Sequence, residues 1–425
     1  MTARPTRFRA LSRSLAERLR DAVRAQRFDE VWDRTPIGGP DGPPQRIHQT
    51  PNLDVAVILL GPDGLPLGAA NVLLSPDHPD TVAVPIDDDL ASGQVRWRRW
   101  DDTEWDTQAG RGSVDVVAGR ETAPIEFMSP YPASVLKLMV GYGVLRLVDR
   151  GVVALDDRYA YRPAPHGPYP AATKPIRVFF DEMITASRND STCALLTLLH
   201  DHDEVARLNQ HFAALGMPTL RIAGTDPSTG GRWDHCTMTA LDTAKLLLVL
   251  AGGSGLLWTA PDGTGVTREA LTAGSRAFFL RTLHDQGLNQ VLSTVNWCGR
   301  GYPAAGIPHR VASRWIDPED GTVTVEHRAY QRDVRPCQAT AEVTYAHKTG
   351  YLATSGNDAG IVQSLPGAPT RHYIVAVFSN LGDRYVDPDR PPDPPGAAPV
   401  IHTERLARLG RTIDEQVTDL FREFA

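Results

Sequence analysis

Residues 341–379 read AEVTYAHKTGYLATSGNDAGIVQSLPGAPTRHYIVAVFS, and this stretch decides the fold. Val343 to His347, Gly360 to Leu365 and His372 to Ser379 are β-branched and aliphatic runs separated by Gly, Pro, Ser and Asn. That pattern predicts three strands joined by turns. Upstream the period changes. From Ser134 to about Leu283 it is mostly helical: Val135, Leu138, Met139, Tyr142, Leu145 and Val148 share one face of a helix ending near Gly151. Val178 to Leu199 and Leu241 to Leu250 predict further helices. Asn52 to Leu60 and Ala69 to Leu74 flank Gly61-Pro62-Asp63-Gly64 and predict a hairpin. At the ends, Leu15, Leu19 and Val23, with Val31 and Trp32 closing the run, predict an amphipathic helix over 11–33. After the Pro-rich stretch 387–399, Leu406, Leu409, Ile413, Val417 and Leu420 predict a final helix. Strands, a helical block, strands again and a helix at each end make an α+β class, with both terminal helices covering one sheet. The domain reading is 1–51 as a helix and Pro/Gly-rich linker, then one unit over 52–425.

Composition narrows the function classes. The chain has 425 residues, 41% hydrophobic and 22% charged, with a formal net charge of −7. These values fit a folded globular protein and give no electrostatic reason to bind nucleic acid. Apolar runs such as Val55 to Leu60 are too short to span a bilayer. Residues 1–34 carry nine Arg and no apolar core of a leader, so a cytoplasmic location is expected. Cys193, Cys236, Cys298 and Cys337 lack metal-knuckle or redox spacing and read as free, mostly buried thiols. No metal or cofactor is expected: Asp87-Asp88-Asp89 reads as a solvated loop and His200-Asp-His-Asp203 as a helix end. Trp97, Trp100 and Trp105 read as a satellite hydrophobic cluster. Oligomeric state leaves no signal.

Only four lysines stand against 40 arginines. Two of the four lie in motifs. Ser134-Val-Leu-Lys137 opens a predicted helix and puts a hydroxyl and an amine one turn apart on one face. A serine is a poor nucleophile until a neighbour takes its proton, and a neutral amine can take it. Lys348-Thr349-Gly350 closes the predicted strand Val343 to His347, and Ser187-Arg188-Asn189 lies between two helical runs. Lys174 and Lys245 read as ordinary surface residues.

Together these motifs resemble the serine β-lactamase and penicillin-binding protein superfamily, most closely its class A pattern of Ser-x-x-Lys, Ser-x-Asn and Lys-Thr-Gly in that order. FMSPYPASVLKL (127–138), DEMITASRNDSTCALL (181–196), TMTALDTAKLLLVL (237–250), Ala305-Gly-Ile-Pro308 and HKTGYLATSGNDAGIV (347–362) extend it. The resemblance implies a β-lactamase/transpeptidase-like fold. Its antiparallel sheet would come from 52–133 and 341–425, its all-helical subdomain from 134–300, and insertions would lie at about 75–125 and 310–342. It implies that Ser134 is acylated and Lys137 activates it. Ser187 would pass a proton to the leaving group, and Asn189 would hold Lys137 and a substrate amide. Lys348 would pair with Ser187 and a substrate carboxylate, with Thr349 and Gly350 beside it. The oxyanion hole would be the N–H groups of Ser134 and Tyr351.

Departures from the family pattern bear on activity. No Glu lies between Glu204 and Glu269, where class A members carry the base that activates the deacylating water; Asp226 is the nearest carboxylate. Arg188 replaces an acidic residue. An Arg- and acid-rich segment, Arg310 to Glu342, lengthens the approach to Lys348. The expected function is a serine hydrolase or acyltransferase cleaving an amide, β-lactam or ester through acyl-Ser134. With no leader seen, it would act as an esterase, amidase or transacylase of natural-product metabolism. The alternative is a protein of the same fold that is acylated and stalls, as a sensor or binding protein.

Overall fold

A computed structural model describes residues 3–35, 43–101, 105, 112, 114–298, 304–390, 398, 400 and 403–424. Most of the Pro-rich stretch (391–397 and 399), part of the 1–51 linker and part of the 75–125 segment lie outside them. Six strands form one antiparallel sheet in the order Val343–Leu352, Ser355–Ser364, His372–Ser379, Leu53–Leu60, Pro66–Ser75, His78–Val84. The first hairpin turns where expected, with Gly64 at φ 73.

The strand Leu53–Leu60 is buried at every position. Successive side chains point to opposite faces, so a strand apolar from Val55 to Leu60 needs cover on both. One face packs Val55, Val57, Val375 and Val377 against Leu15 and Leu19 near the N-terminus and Leu409, Ile413 and Val417 near the C-terminus. These come from the helices Ala3–Ala25 and Glu404–Phe424. The other face packs Ala56, Ile58, Ile374, Ala376 and Phe378 into the helical block. That block contains Lys137–Asp149, Ile176–Thr185, Asn189–Asp201, Glu204–Ala214, Ala240–Ala251 and Ala273–His284. The α+β class and the placing of both terminal helices on one face are therefore as expected.

Four expectations need correction. The first helix ends at Ala25, because Arg27 takes a left-handed φ of 49 and closes it. Val31 is buried, and Trp32, 37% exposed, pairs with Val386 and Arg46 in a small three-stranded sheet. Lys348-Thr349-Gly350 lies inside its strand, and Gly356-Asn357-Asp358 inside the next; the turn falls at Ala353-Thr354. Lys245 is buried at 1% exposure, donating to the carbonyls of Leu90 and Gly216 beside the Trp258 ring. Its long stem lets the middle of the helix Ala240–Ala251 reach the carbonyls of two loops, which surface charge counting does not reveal. Lys174 is half-buried on Glu182.

The fourth correction concerns the thiols. Cys193 and Cys236 are free and buried, but Cys298 and Cys337 form a disulfide with Cα atoms 6.1 Å apart. It joins the short turn Val295–Trp297 to the one-turn helix Arg335–Ala339, which follows a β-hairpin of Thr322–Val325 and Arg328–Asp333. Trp297, Val311, Val323, Val325, Tyr330 and Val334 pack around it as a small separate core. Closing a loop of 39 residues removes unfolded-state entropy worth about 4 kcal/mol. Cys298→Ser with Cys337→Ser is expected to lower unfolding free energy by that order in urea titration. A loss under about 1 kcal/mol would show that the bond constrains nothing.

Candidate active site

The position of Ser134 follows from the strand Ile125–Ser129 and the tight turn after it. Ala133 sits at φ 47, a strained conformation for a residue with a side chain, and starts the 3-10 turn Ala133–Leu136 that runs into the helix Lys137–Asp149. Ser187 has the same backbone type, φ 58, at the break between the helices Ile176–Thr185 and Asn189–Asp201. Left-handed residues without a glycine cost about 1–3 kcal/mol and concentrate where geometry serves function. Both here hold a serine in place.

Four polar groups converge on the Lys137 amine. Its Nζ lies 2.9 Å from Ser134 Oγ, 3.0 Å from Ser187 Oγ, 2.7 Å from the Ser187 carbonyl and 2.8 Å from Asn189 Oδ1. Lys348 reaches the same Ser187 Oγ at 2.9 Å and also donates to the Thr349 carbonyl. Both lysines are fully buried. Burial, then the charge of Lys348, pushes the Lys137 amine well below its usual pKa. Burial lowers Lys348 to about 7, opposed by the Asp358 carboxylate. Two ammonium groups sharing one hydroxyl repel each other, and Asp358 favours the proton on Lys348. Both effects favour the neutral form of the Lys137 amine.

The sheet edge completes the site. A β-carbon at Gly350 would lie 2.7 Å from the amide nitrogens of Ser134 and Val135 and from the Pro132 carbonyl. Only glycine lets the strand approach the turn that carries Ser134 this closely. Asn357 ties the neighbouring strand to the same turn by donating to the Tyr131 carbonyl. Thr349 is 1% exposed, and its Oγ1 has no partner among the described residues.

Asp226 is not brought to this cluster. One carboxylate oxygen accepts from Ser228 N–H and Oγ, and the other bonds His166 Nε2 at 3.0 Å. The His166 bond, then those of Ser228, hold its pKa well below the usual carboxylate range, which makes it a weak base. Among the described residues no carboxylate hydrogen-bonds Ser134, Lys137, Ser187 or Asn189. Asp226→Asn is therefore expected to leave the deacylation rate within about twofold while loosening its own loop; a tenfold slowing in single-turnover kinetics would restore its role as base.

Other sequence features find ordinary places. Asp87 caps its own turn, Asp88 pairs with Arg9, and Asp89 accepts from Thr259. His200 bonds Thr225 Oγ1. No metal-holding group occurs among the described residues. Trp97 packs edge-on to Phe127 in a satellite cluster, and Trp105 donates to Tyr385 OH in the sheet core. Cys193 is buried, with its thiol pushed up to about 12 by burial. Among the described residues no helix is long and apolar enough to cross a membrane.

Sequence reasoning gave no role to Asp358, His347 or Asn289. The Asp358 carboxylate bonds His347 Nδ1 at 2.8 Å and the Leu292 amide, and His347 Nε2 bonds Asn289 Oδ1. This buried chain supports the strand that carries Lys348. The one available signal was an acid within a glycine-flanked β-run. Trp233 was also missed; its ring centroid lies 6.0 Å from Lys137 Nζ.

Comparison with known proteins follows this geometry. A family model described as Beta-lactamase enzyme family matches residues 126–294. No curated protein matches. Among solved structures the chain is similar to PBP-A in an acyl-enzyme complex with penicillin G, at 17% identity over 96% of both chains, TM-score 0.46. It is similar to a β-lactamase from Chitinophaga pinensis at 15% identity over 96% of this chain and 98% of that one, TM-score 0.44. A β-lactamase from Sphaerobacter thermophilus is similar at 16% identity over 95% and 98%, TM-score 0.45. The matched segment carries Ser134, Lys137, Ser187 and Asn189, Lys348 joins them from the sheet, and the superfamily this chain resembles is that of the serine β-lactamases and penicillin-binding proteins.

Proposed function

We propose that the protein is a serine acyl-enzyme hydrolase or acyltransferase that cleaves an amide, β-lactam or ester bond. The observation that carries this reading is the buried Lys137 amine 2.9 Å from Ser134 Oγ and 3.0 Å from Ser187 Oγ. In the first half-reaction Ser134 Oγ bonds the carbonyl carbon and its proton passes to Lys137. The oxyanion rests on the amides of Ser134 and Tyr351. The bond to the leaving group then breaks as Ser187 supplies that group's proton and is reprotonated from Lys137. In the second half, water or another nucleophile attacks the ester, and Ser134 regains a proton. Thr349 and Lys348 suit a substrate carboxylate: one offers an unpartnered buried hydroxyl, the other a cation.

One observation favours a second reading. With Asp226 engaged in its own loop, no carboxylate among the described residues hydrogen-bonds Ser134, Lys137, Ser187 or Asn189, which favours an acyl-enzyme that persists or passes to a nucleophile other than water. The Cys298–Cys337 bond also bears on the setting. Disulfides persist in oxidising compartments, which weighs against the cytoplasmic expectation and removes the support it gave to natural-product metabolism.

Intact mass followed over time with a penicillin, a cephalosporin and activated esters separates these readings. An adduct that clears in buffer supports hydrolysis. One cleared by an added amine or alcohol supports transfer, and a permanent one supports the stalled reading. No adduct and no turnover would overturn the acyl-enzyme reading altogether.

A further inference from the structure

The segment 310–342 places a two-stranded hairpin against the active site. Val325 pairs with Arg328, leaving Glu326 and His327 as the turn, with Glu326 at φ 55. A left-handed glutamate at a hairpin tip is disfavoured by its side chain, and its partner accounts for its presence. Glu326 Oε2 lies 3.0 Å from Arg188 Nη1, and Arg188 is the residue between Ser187 and Asn189. On the other flank Arg328 stands 5.9 Å from the ring centroid of Tyr351, the residue after Gly350. Arg328 and Tyr330 both donate to Gln290 Oε1, which fixes that flank.

The tip thus bridges the two rims of the cleft. Its contacts are neighbours in sequence of Ser187 and of the Lys348-Thr349-Gly350 run, whose Ser187 Oγ and Lys348 Nζ are 2.9 Å apart. The base of the hairpin is held by its own small core and by Cys298–Cys337. Arg188 is also clamped in a two-point pair with Asp190, at 3.0 and 2.6 Å, so it presents a fixed cation to the tip.

We propose that Glu326 is a specificity-determining residue: latched to Arg188, it holds the hairpin tip as a wall over the Ser187–Lys348 pair and limits the size of the leaving group. This rests on the acyl-enzyme reading, in which Ser187 protonates the leaving group as the carbonyl–leaving-group bond breaks. Leaving groups must therefore fit beneath the tip, while the acyl part lies toward Ser134. A wall released from Arg188 admits bulkier leaving groups without changing the chemistry at Ser134.

The test compares esters of one acyl group whose leaving alcohols increase in bulk. In Glu326→Gln, kcat/KM for the smallest ester is expected to stay within about twofold, and for the bulkiest to rise about tenfold through KM. Glu326→Ala should act likewise, because it too removes the partner of Arg188. An unchanged preference in Glu326→Gln, or equal change for all esters, would overturn the wall. Hydrogen exchange reads the latch without catalysis: amides of 322–333 should exchange faster in Glu326→Gln than in the unaltered protein. Absence of both an acyl adduct and ester turnover in the unaltered protein would count against the acyl-enzyme reading, whereas unchanged exchange would count against the latch itself.

Discussion

Lys137→Arg is expected to slow acylation of Ser134 by about a thousandfold. Arginine keeps a positive charge and similar length, so the contacts to Ser187 and Asn189 have donors of the same sign. What it loses is the ability to be neutral, because a guanidinium stays protonated at any working pH. Lys137 can be neutral because it is buried and faces the Lys348 charge, which together push its pKa down. The sign is fixed: the active form is the free amine, so acylation falls as pH drops through the lowered pKa and is fully present above it. In Lys137→Arg the remaining rate should show no such acid limb. Stopped-flow acylation across pH checks both statements. A variant within tenfold of the unaltered rate, with the acid limb retained, would assign the base elsewhere.

Gly350→Ala is expected to lower kcat/KM by about a hundredfold or more. The new β-carbon would sit 2.7 Å from the Ser134 and Val135 amide nitrogens, and these are backbone atoms that cannot rotate away. Either the strand or the nucleophile turn must shift by several tenths of an ångström, and the pair of amides beside the oxyanion no longer matches it. Losing one such donor costs about 3 kcal/mol of transition-state stabilisation. The loss should appear in kcat more than in KM, because it acts on a charge that develops only in the transition state. Comparable kcat in the alanine variant would mean that the strand does not contribute to the oxyanion site.

Much of this arrangement was legible in the sequence, for physical reasons. Strands such as Leu53–Leu60 and His372–Ser379 announce themselves because a sheet covered on both faces needs long apolar runs, here Val55 to Leu60 and Tyr373 to Phe378. The three motifs stand out because lysine is rare here, and two of the four fall beside the same serine, Ser187. What was not legible depends on distant neighbours. Cys298 and Cys337 meet across 39 residues without a spacing signature. The Arg- and acid-rich run 310–342 reads in the sequence as an insertion before Lys348, but the partners that Glu326 and Arg314 find at the helical block, Arg188 and Asp181, leave no local signal. Asp226 stood at the expected place in the sequence, but His166 and Ser228 occupy its oxygens. Helix ends were misjudged where one residue changes backbone region, as at Arg27.

The central claim is that Ser134, activated by Lys137, carries the acyl group. The most direct measurement is peptide mapping after rapid acid quench of the protein mixed with an activated ester or a penicillin. The account predicts the acyl mass on the peptide that contains Ser134, and none in Ser134→Ala treated in the same way. Acyl mass on another residue, or equal labelling and turnover in Ser134→Ala, would contradict it.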